Sequence, residues 1–511
     1  MSAATTPGNR RDEPRRWHHT MGTRPAYACA LVVAAALAGA CSPGPEAQPE
    51  PGGSSSAQAT TSVGPAGPST SAPATVGPLA LVTHPSRPAI DISSAVAADL
   101  LAGRVDDWSD LGAAPGPLRL VAASGVTVSG ADLDTAAEDV VAAVGRDGAA
   151  LGAVPASAVG PGVRVLRVNR THPLRRPATY PLTTADDAPP PVTTATVVGD
   201  VMLARRVGSS MAASGDFAAA LRPTAARLAG ADLTVGNLES TLSRLGRPQQ
   251  GGDSFGADPR VRRGLQLAGF DVLSLANNHT GDYGLASLVE TVRRVRETGI
   301  VPVGAGADLA EAREPAVVVR NGVRFGVVAF DAIGETPAAR AARPGAFRLR
   351  MQPRTGPLVP GDLERVLDTV RTLRPTVDVV MVLPHWGTQY TTRTVADQRR
   401  VGRALVEAGA DLVVGGHPHW VQGVELHRGA PIAYSLGNYV FDMDFSRETQ
   451  EGAFLELVFW GSELKAAEFV PVRIGADFAP RVASGPGGQA ILNRIWGASG
   501  RPLTGTHRRR S

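Results

Sequence analysis

Between residues 193 and 445 the chain repeats one pattern: a short β-branched apolar run, then a loop carrying Asp, Glu, Asn or His. "TTATVV" leads into "GDVML" with Asp200, and "DLTV" into "GNLES" with Asn237 and Glu239. "FDVLSL" leads into "ANNHTGDYG" with Asn277, Asn278, His279 and Asp282, and "VDVVMVL" into "PHWGTQY" with His385. "ADLVV" leads into "GGHPHW" with His417 and His419, and "APIAYSL" into "GNYVFD" with Asn438 and Asp442. Helix-like stretches lie between the runs, which predicts an α/β layered fold. Runs this continuously apolar are buried on both faces. In an open α/β sheet the loops after the strand ends gather on one rim, where ligands bind.

The residues on that rim suit a divalent metal. The domain up to residue 445 has five histidines, and four of them (His279, His385, His417, His419) lie in these loops; only His427 does not. Imidazole nitrogen and carboxylate oxygen together favour Mn, Zn or Fe, as one or two ions, and the lack of cysteine ligands argues against a structural zinc. The His-x-His spacing lets two imidazoles leave one turn in nearby directions. Gly199, Gly236, Gly415 and Gly416 beside the polar residues permit turns that a Cβ resists. The competing reading is a set of turns capped by hydrogen-bonded structural histidines.

Length and composition set the frame. At 511 residues the chain has room for two to four domains. It is 43% hydrophobic and 19% charged, as soluble globular proteins are. The net charge is +4, and Lys465 is the only lysine. Arg10, Arg11, Arg15 and Arg16 precede the first apolar segment and Arg508 to Arg510 sit at the C-terminus, a pattern that does not suggest a nucleic-acid groove, which needs charge clustered on a folded face. The cysteines are Cys29 and Cys41, so no structural disulfide is expected in the mature protein.

Both cysteines belong to "AYACALVVAAALAGAC", residues 26–41. With roughly fifteen apolar residues it is short for a membrane span and right for a signal-peptide core. Its end, "LAGACS", resembles a bacterial lipobox, with Ala38 where leucine is usual; Cys41 is then the lipid anchor to the extracytoplasmic face of the membrane. A plain secretory signal or an uncleaved single anchor is the other possibility. The long stretch before it points to Met21 as the true start. Residues 42–77, rich in Pro, Ser, Gly and Ala, form a disordered tether. A small α/β domain is expected over 78–184, a linker over 185–192 and a large domain over 193–483. The tail, 484–511, is expected to hold a short helix at "AILNRIWG" before fraying.

Two resemblances follow. "LLAGRVDDWSDLG" (100–112), "GAALGAVPASAVGPGVRVLRV" (148–168) and "TYPLTT" (179–184) resemble one lobe of a phosphate-type periplasmic solute-binding protein. Ligand capture in that family uses two lobes. An unrelated small α/β domain is the alternative.

The ordered set "GDVML", "NLE", "ANNHTGDYG", "PHWGTQY", "GADLVVGGHPHWVQGVE" and "YSLGNYVFD" resembles the CapA family of capsule and poly-γ-glutamate biosynthesis, itself similar to calcineurin-like metallophosphoesterases. The resemblance implies a two-sheet βαβ sandwich with a binuclear metal centre at the sheet edges. It implies metal ligands at Asp200, Glu239, Asn278, His385, His417 and His419, and a general acid at His279. One ion would take Glu239, Asn278, His385 and His417, and the other Asp200, Glu239 and His419. Met202 stands where the phosphoesterases have a histidine, so the second set is a ligand short. Arg205 would offset charge on the attacked group, and Asn237, Trp386, Tyr390 and Asn438 would bind substrate.

The implied function is an extracytoplasmic, membrane-anchored metal-dependent hydrolase or transferase acting on an anionic surface polymer such as poly-γ-glutamate. A non-catalytic assembly or export component, or a solute-binding lipoprotein, remains open.

Overall fold

A computed structural model describes residues 76–126 and 135–499. The signal segment with Cys41, the tether up to residue 75 and the chain from residue 500 lie outside the described residues. The protein is a mixed α/β structure with several sheets.

The largest sheet has four parallel strands in the order Val301–Val303, Val272–Ser274, Leu233–Leu238 and Val192–Val201. It continues antiparallel through Glu451–Trp460, Glu463–Ile474 and Pro480–Val482, while Asn438–Val440 pairs with the end of Val192–Val201. A second sheet runs Ala316–Arg320, Val323–Asp331, Val379–His385, Leu412–Val414, Ala430–Ala433 and Val424–His427. Its four central strands are parallel. Its first hairpin turns at Asn321 and Gly322, with φ of 49° and 82°, the left-handed pair that matches strand twist.

Apolar side chains of both sheets share one core. Val197, Val235 and Leu455 of the first meet Phe325, Met381 and Leu412 of the second. Every residue of Val379–His385 is buried, as its unbroken apolar sequence requires. Helices cover the outer faces. Leu285–Arg296 buries Leu288, Val292 and Val295 at helical spacing, and Ala396–Ala408 buries Val401 and Leu405 before Gly409 ends it.

Residues 76–185 form a smaller sheet, Arg119–Ala122, Ala150–Pro155, Val76–Thr83 and Arg164–Val165, with Thr183–Ala185 on the start of Val76–Thr83. Its core reaches Val458, Trp460 and Ala466 of the large sheet. Buried polar contacts join the two: Arg164 Nη2 donates to Phe469 O at 2.7 Å, Trp460 Nε1 to Leu174 O at 2.9 Å and Lys465 Nζ to Ser157 O at 2.6 Å.

The chain after residue 484 is more than a tail. Helix Gly485–Ala498 is longer than the stretch the sequence suggests, and its Ile491, Leu492 and Ile495 enter the main core.

Candidate metal centre

The polar loops converge where the parallel strands of the two sheets end. Asp200 closes Val192–Val201, Glu239 follows Leu233–Leu238, and His385 closes Val379–His385. His417 and His419 lie in the turn after Leu412–Val414. Asp200, Glu239, Asn278, His279, His385, His417 and His419 are all buried.

Asp200, Glu239 and His419 each offer a ligand atom, and the three atoms lie within 4.8 Å of one another. His419 Nε2 is 3.9 Å from Glu239 Oε1, and its Nδ1 is 2.9 Å from Asn438 Oδ1. On the other side of Glu239, His385 Nε2 lies 4.0 Å from Oε1 and 2.9 Å from Asn278 Oδ1. The His417 ring is 5.0 Å from that of His385 and 5.7 Å from that of His419.

Whether these residues fit a cation is tested by their unmet bonds. Glu239 Oε1, both ring nitrogens of His417 and Nε2 of His419 are buried without a hydrogen-bond partner. Such atoms are rare in folded proteins because desolvation without a partner is costly. Glu239 Oε1, His419 Nε2 and the unprotonated nitrogen of neutral His417 each offer a lone pair of metal-ligand type, so the residues fit a divalent cation.

The electrostatics agree. Burial pushes the Asp200 carboxyl up to about 6, against hydrogen bonds from Asn237 and from the His417 backbone. Burial and then the charges of Asp200, Asp282 and Asp331 push Glu239 well above the carboxylate range. Burial holds His385 and His417 well below the usual imidazole range and His419 down to about 3. Clustered buried carboxylates beside neutral imidazoles make a site that a positive charge relieves.

His279 occupies a different position. Its Nδ1 meets Asp282 Oδ2 at 2.8 Å, and its Nε2 is 3.9 Å from Glu239 Oε1. The Phe255 ring stacks on it at 3.7 Å and 17°. Arg205 lies over Phe255 at 4.5 Å and pairs with buried Asp442, so its charge is already committed.

Other expected positions differ in place or role. Trp386 is fully buried and donates Nε1 to Tyr434 O at 2.9 Å, so it packs in the core instead of lining a groove. Asn438 is buried behind His419, and Asn237 Nδ2 donates to Asp200 Oδ1 at 2.8 Å, so each braces a candidate ligand. Tyr390 is partly exposed, its ring 6.0 Å from that of His419. Met202 turns into the core, where its Sδ accepts from the Ala204 N–H at 3.1 Å.

Asp331 is a further rim carboxylate that no motif in the sequence marks. It ends its strand beside His385 in register and is held by Arg348 at 2.8 Å. The apolar run "VRFGVVAF" before it was the available signal.

Residues 194–443 match the family described as bacterial capsule synthesis protein PGA_cap. The chain is 31% identical over 287 residues to the capsule biosynthesis protein CapA of Bacillus anthracis, covering 55% of this chain and 67% of that one. It is 34% identical over 194 residues to the PGA biosynthesis protein CapA of Bacillus subtilis strain 168, covering 38% and 48%. The chain thus spans about two thirds of the first relative and about half of the second. Among solved structures, an ABC-type phosphate transport receptor from Vibrio cholerae matches 21% of this chain and 54% of that chain, at 14% identity and a TM-score of 0.20, too low to carry an argument.

Proposed function

This chain belongs to the CapA family of bacterial capsule synthesis proteins, and from that premise we propose that it is a membrane-anchored, extracytoplasmic hydrolase or transferase. It depends on a divalent metal and acts on an anionic surface polymer of poly-γ-glutamate type. The fold is read as a metallophosphoesterase-like two-sheet sandwich. The observation that carries the proposal is the set of buried, unpartnered ligand atoms on Glu239, His417 and His419.

Two ligand groups share Glu239. Asn278, His385 and His417 complete one, and Asp200 and His419 the other. A cation held there supplies Lewis-acid polarisation and lowers the pKa of water toward neutrality.

The chain's own residues do the rest. Asp282 accepts from the Phe255 N–H at 2.6 Å and from the Gln250 amide, and it faces His279 Nδ1. A carboxylate so supplied with donors holds a proton on Nδ1 and orients the ring. In the imidazolium form, with its Nδ1–H held by Asp282, the ring turns its Nε2–H toward Glu239, gives that proton to a leaving group and is left neutral with the remaining proton on Nδ1. Phe255 closes one face of that imidazole to water.

Three measurements on the full-length protein test this: metal content, hydrolysis of chromogenic phosphoesters, and cleavage of poly-γ-glutamate. Wild type is expected to hold Mn, Zn or Fe, and His279→Ala to lower turnover by about 10²- to 10⁴-fold with metal retained. A purified protein that takes up none of these metals on supplementation sinks the site. Wild type and His279→Ala equally inert, both metal-loaded, would replace catalysis with polymer binding.

A further inference from the structure

The loop after strand Val379–His385 is fastened to the turn that carries His417 and His419. The Tyr390 N–H donates to Pro418 O at 2.9 Å. Gln422 Nε2 donates to the carbonyls of Thr391 and Arg393, each at 3.1 Å. Gln398 completes the clamp, giving Nε2 to Gln422 Oε1 at 3.0 Å and accepting from the Val395 N–H at 2.9 Å. Both glutamines are fully buried, so these amides have no water to exchange with and the loop is held in one conformation. Tyr390 takes a φ of 58°. An aromatic residue rarely adopts that left-handed backbone, and such strain persists where surrounding structure enforces it, often at functional sites.

The clamp presents ring surface to water. Tyr390 is 38% exposed and Phe445 65%. Their rings meet edge to face at 5.2 Å, and the Tyr390 ring lies 6.0 Å from that of His419 at 28°. The Tyr390 hydroxyl has only a thioether, Met443 Sδ at 3.9 Å, as an acceptor among the described residues. Beyond Tyr390 come two arginines at the loop, Arg393 on it and Arg399 on helix Ala396–Ala408, both exposed as is Arg400 beside them. The Arg399 guanidinium folds back onto Thr394, at the end of the same loop. Among the described residues neither arginine pairs with an acid, whereas Arg403 on the same helix pairs with Glu425 at 2.6 Å.

We infer that the segment from Tyr390 to Arg399, together with Phe445, is a polymer subsite beside the metal centre. It fits a flexible polyanion whose carboxylates are spaced by methylenes, as in poly-γ-glutamate. The inference rests on the proposed substrate class. The rings cover the aliphatic stems and the arginines pair with the carboxylates. A small phosphoester would need neither, and a neutral sugar polymer would leave both arginines without a partner. A loop fixed before the polymer arrives loses little freedom on binding.

The two contributions separate by salt, because charge pairing is screened and ring packing is not. The experiment measures labelled poly-γ-glutamate binding to the full-length protein by fluorescence anisotropy across a salt series, with chelator present so that the polymer stays intact. Circular dichroism checks the fold of each variant. Phe445→Ala, and Arg393→Gln with Arg399→Gln, are each expected to weaken binding by about five- to tenfold. The arginine pair should also flatten the salt dependence, and Phe445→Ala should leave it unchanged.

Folded variants that bind within about twofold of wild type would overturn the subsite. So would a wild type that hydrolyses phosphoesters but ignores the polymer, and that outcome leaves the metal-dependent reading standing. Polymer binding that these variants weaken, in a wild type that cleaves nothing, supports the subsite and removes the hydrolase reading instead.

Discussion

The backbone N–H of His417 donates to Oδ2 of Asp200 at 3.0 Å, joining the His-x-His turn to a strand end 217 residues earlier. This close approach depends on the glycine before His417. A Cβ at Gly416 would lie 2.5 Å from Asp200 Oδ1 and 3.4 Å from His385 Nδ1. Gly416→Ala therefore pushes the Asp200 carboxylate out of place. Metal affinity should fall by about 10- to 100-fold, the range seen when ligand-orienting groups are lost. Chelator competition with metal analysis measures it, and a folded Gly416→Ala protein with undiminished affinity would remove Asp200 from the ligand set.

Metal binding should strengthen as pH rises through the acid range. Burial raises the Asp200 pKa to about 6, and burial with neighbouring carboxylates raises Glu239 further. A raised folded-state pKa means that the metal-free fold loses stability as pH climbs through that value. A cation offsets the loss and displaces the protons. His385, His417 and His419, pushed down by burial, are already neutral there and add little to proton release. The melting-temperature gain on adding Mn²⁺ or Zn²⁺ should be larger at about pH 7.5 than at about pH 5. Equal gains at both would mean that no ligand proton is displaced.

The rim was readable from the sequence because a residue just past a buried parallel strand has only one place to be. That logic located Asp200, Glu239, His385, His417 and His419, since the chain position of each sets its position in space. It failed at Trp386, one residue beyond His385, because position in a loop does not tell which way a side chain turns; the indole turned to Tyr434 O in the core. Asp331 was passed over because the loop after it, "AIGETP", carries no histidine or amide to mark it. The joint between the two sheet systems was the least legible part. Nothing in the sequence marks Arg164 and Lys465 as buried, because their partners Phe469 and Ser157 are 305 and 308 residues away.

That joint contains a histidine whose neutrality is built in. His172 Nδ1 accepts the N–H groups of Leu174 at 3.2 Å and Arg175 at 3.3 Å, so its proton sits on Nε2, 3.7 Å from Glu468 Oε2. Burial lowers its pKa below the ordinary imidazole value of about 6.5. The unfolded chain then binds a proton that the folded one refuses, so the contribution is present above 6.5 and is lost as pH falls below it. The slope for one group is at most about 1.4 kcal/mol per pH unit. His172→Asn should lower stability at neutral pH and flatten its fall between about pH 6.5 and 5, as measured by urea unfolding across pH. A variant whose stability falls as steeply as wild type over that window would show that His172 titrates freely.

Asn438 supplies the sharpest test of how the ligands divide. Its Oδ1 accepts from His419 Nδ1 at 2.9 Å, while its Nδ2 donates to Thr449 O at 2.9 Å, which fixes the amide. The pairing sets the His419 tautomer and leaves Nε2, otherwise unpartnered, facing Glu239. Met202 contributes nothing on that side, so in the proposed division the Asp200, Glu239 and His419 group would have three protein ligands, and the group of Glu239 with Asn278, His385 and His417 would have four. His417→Ala should therefore cost more metal than His419→Ala. Asn438→Leu should weaken one ion by about 10- to 100-fold, and it should be the ion that His419→Ala loses. Metal stoichiometry with stepwise chelator titration on the three variants decides this. If Asn438→Leu matched His417→Ala instead, the two histidines would serve one ion and the division at Glu239 would be abandoned.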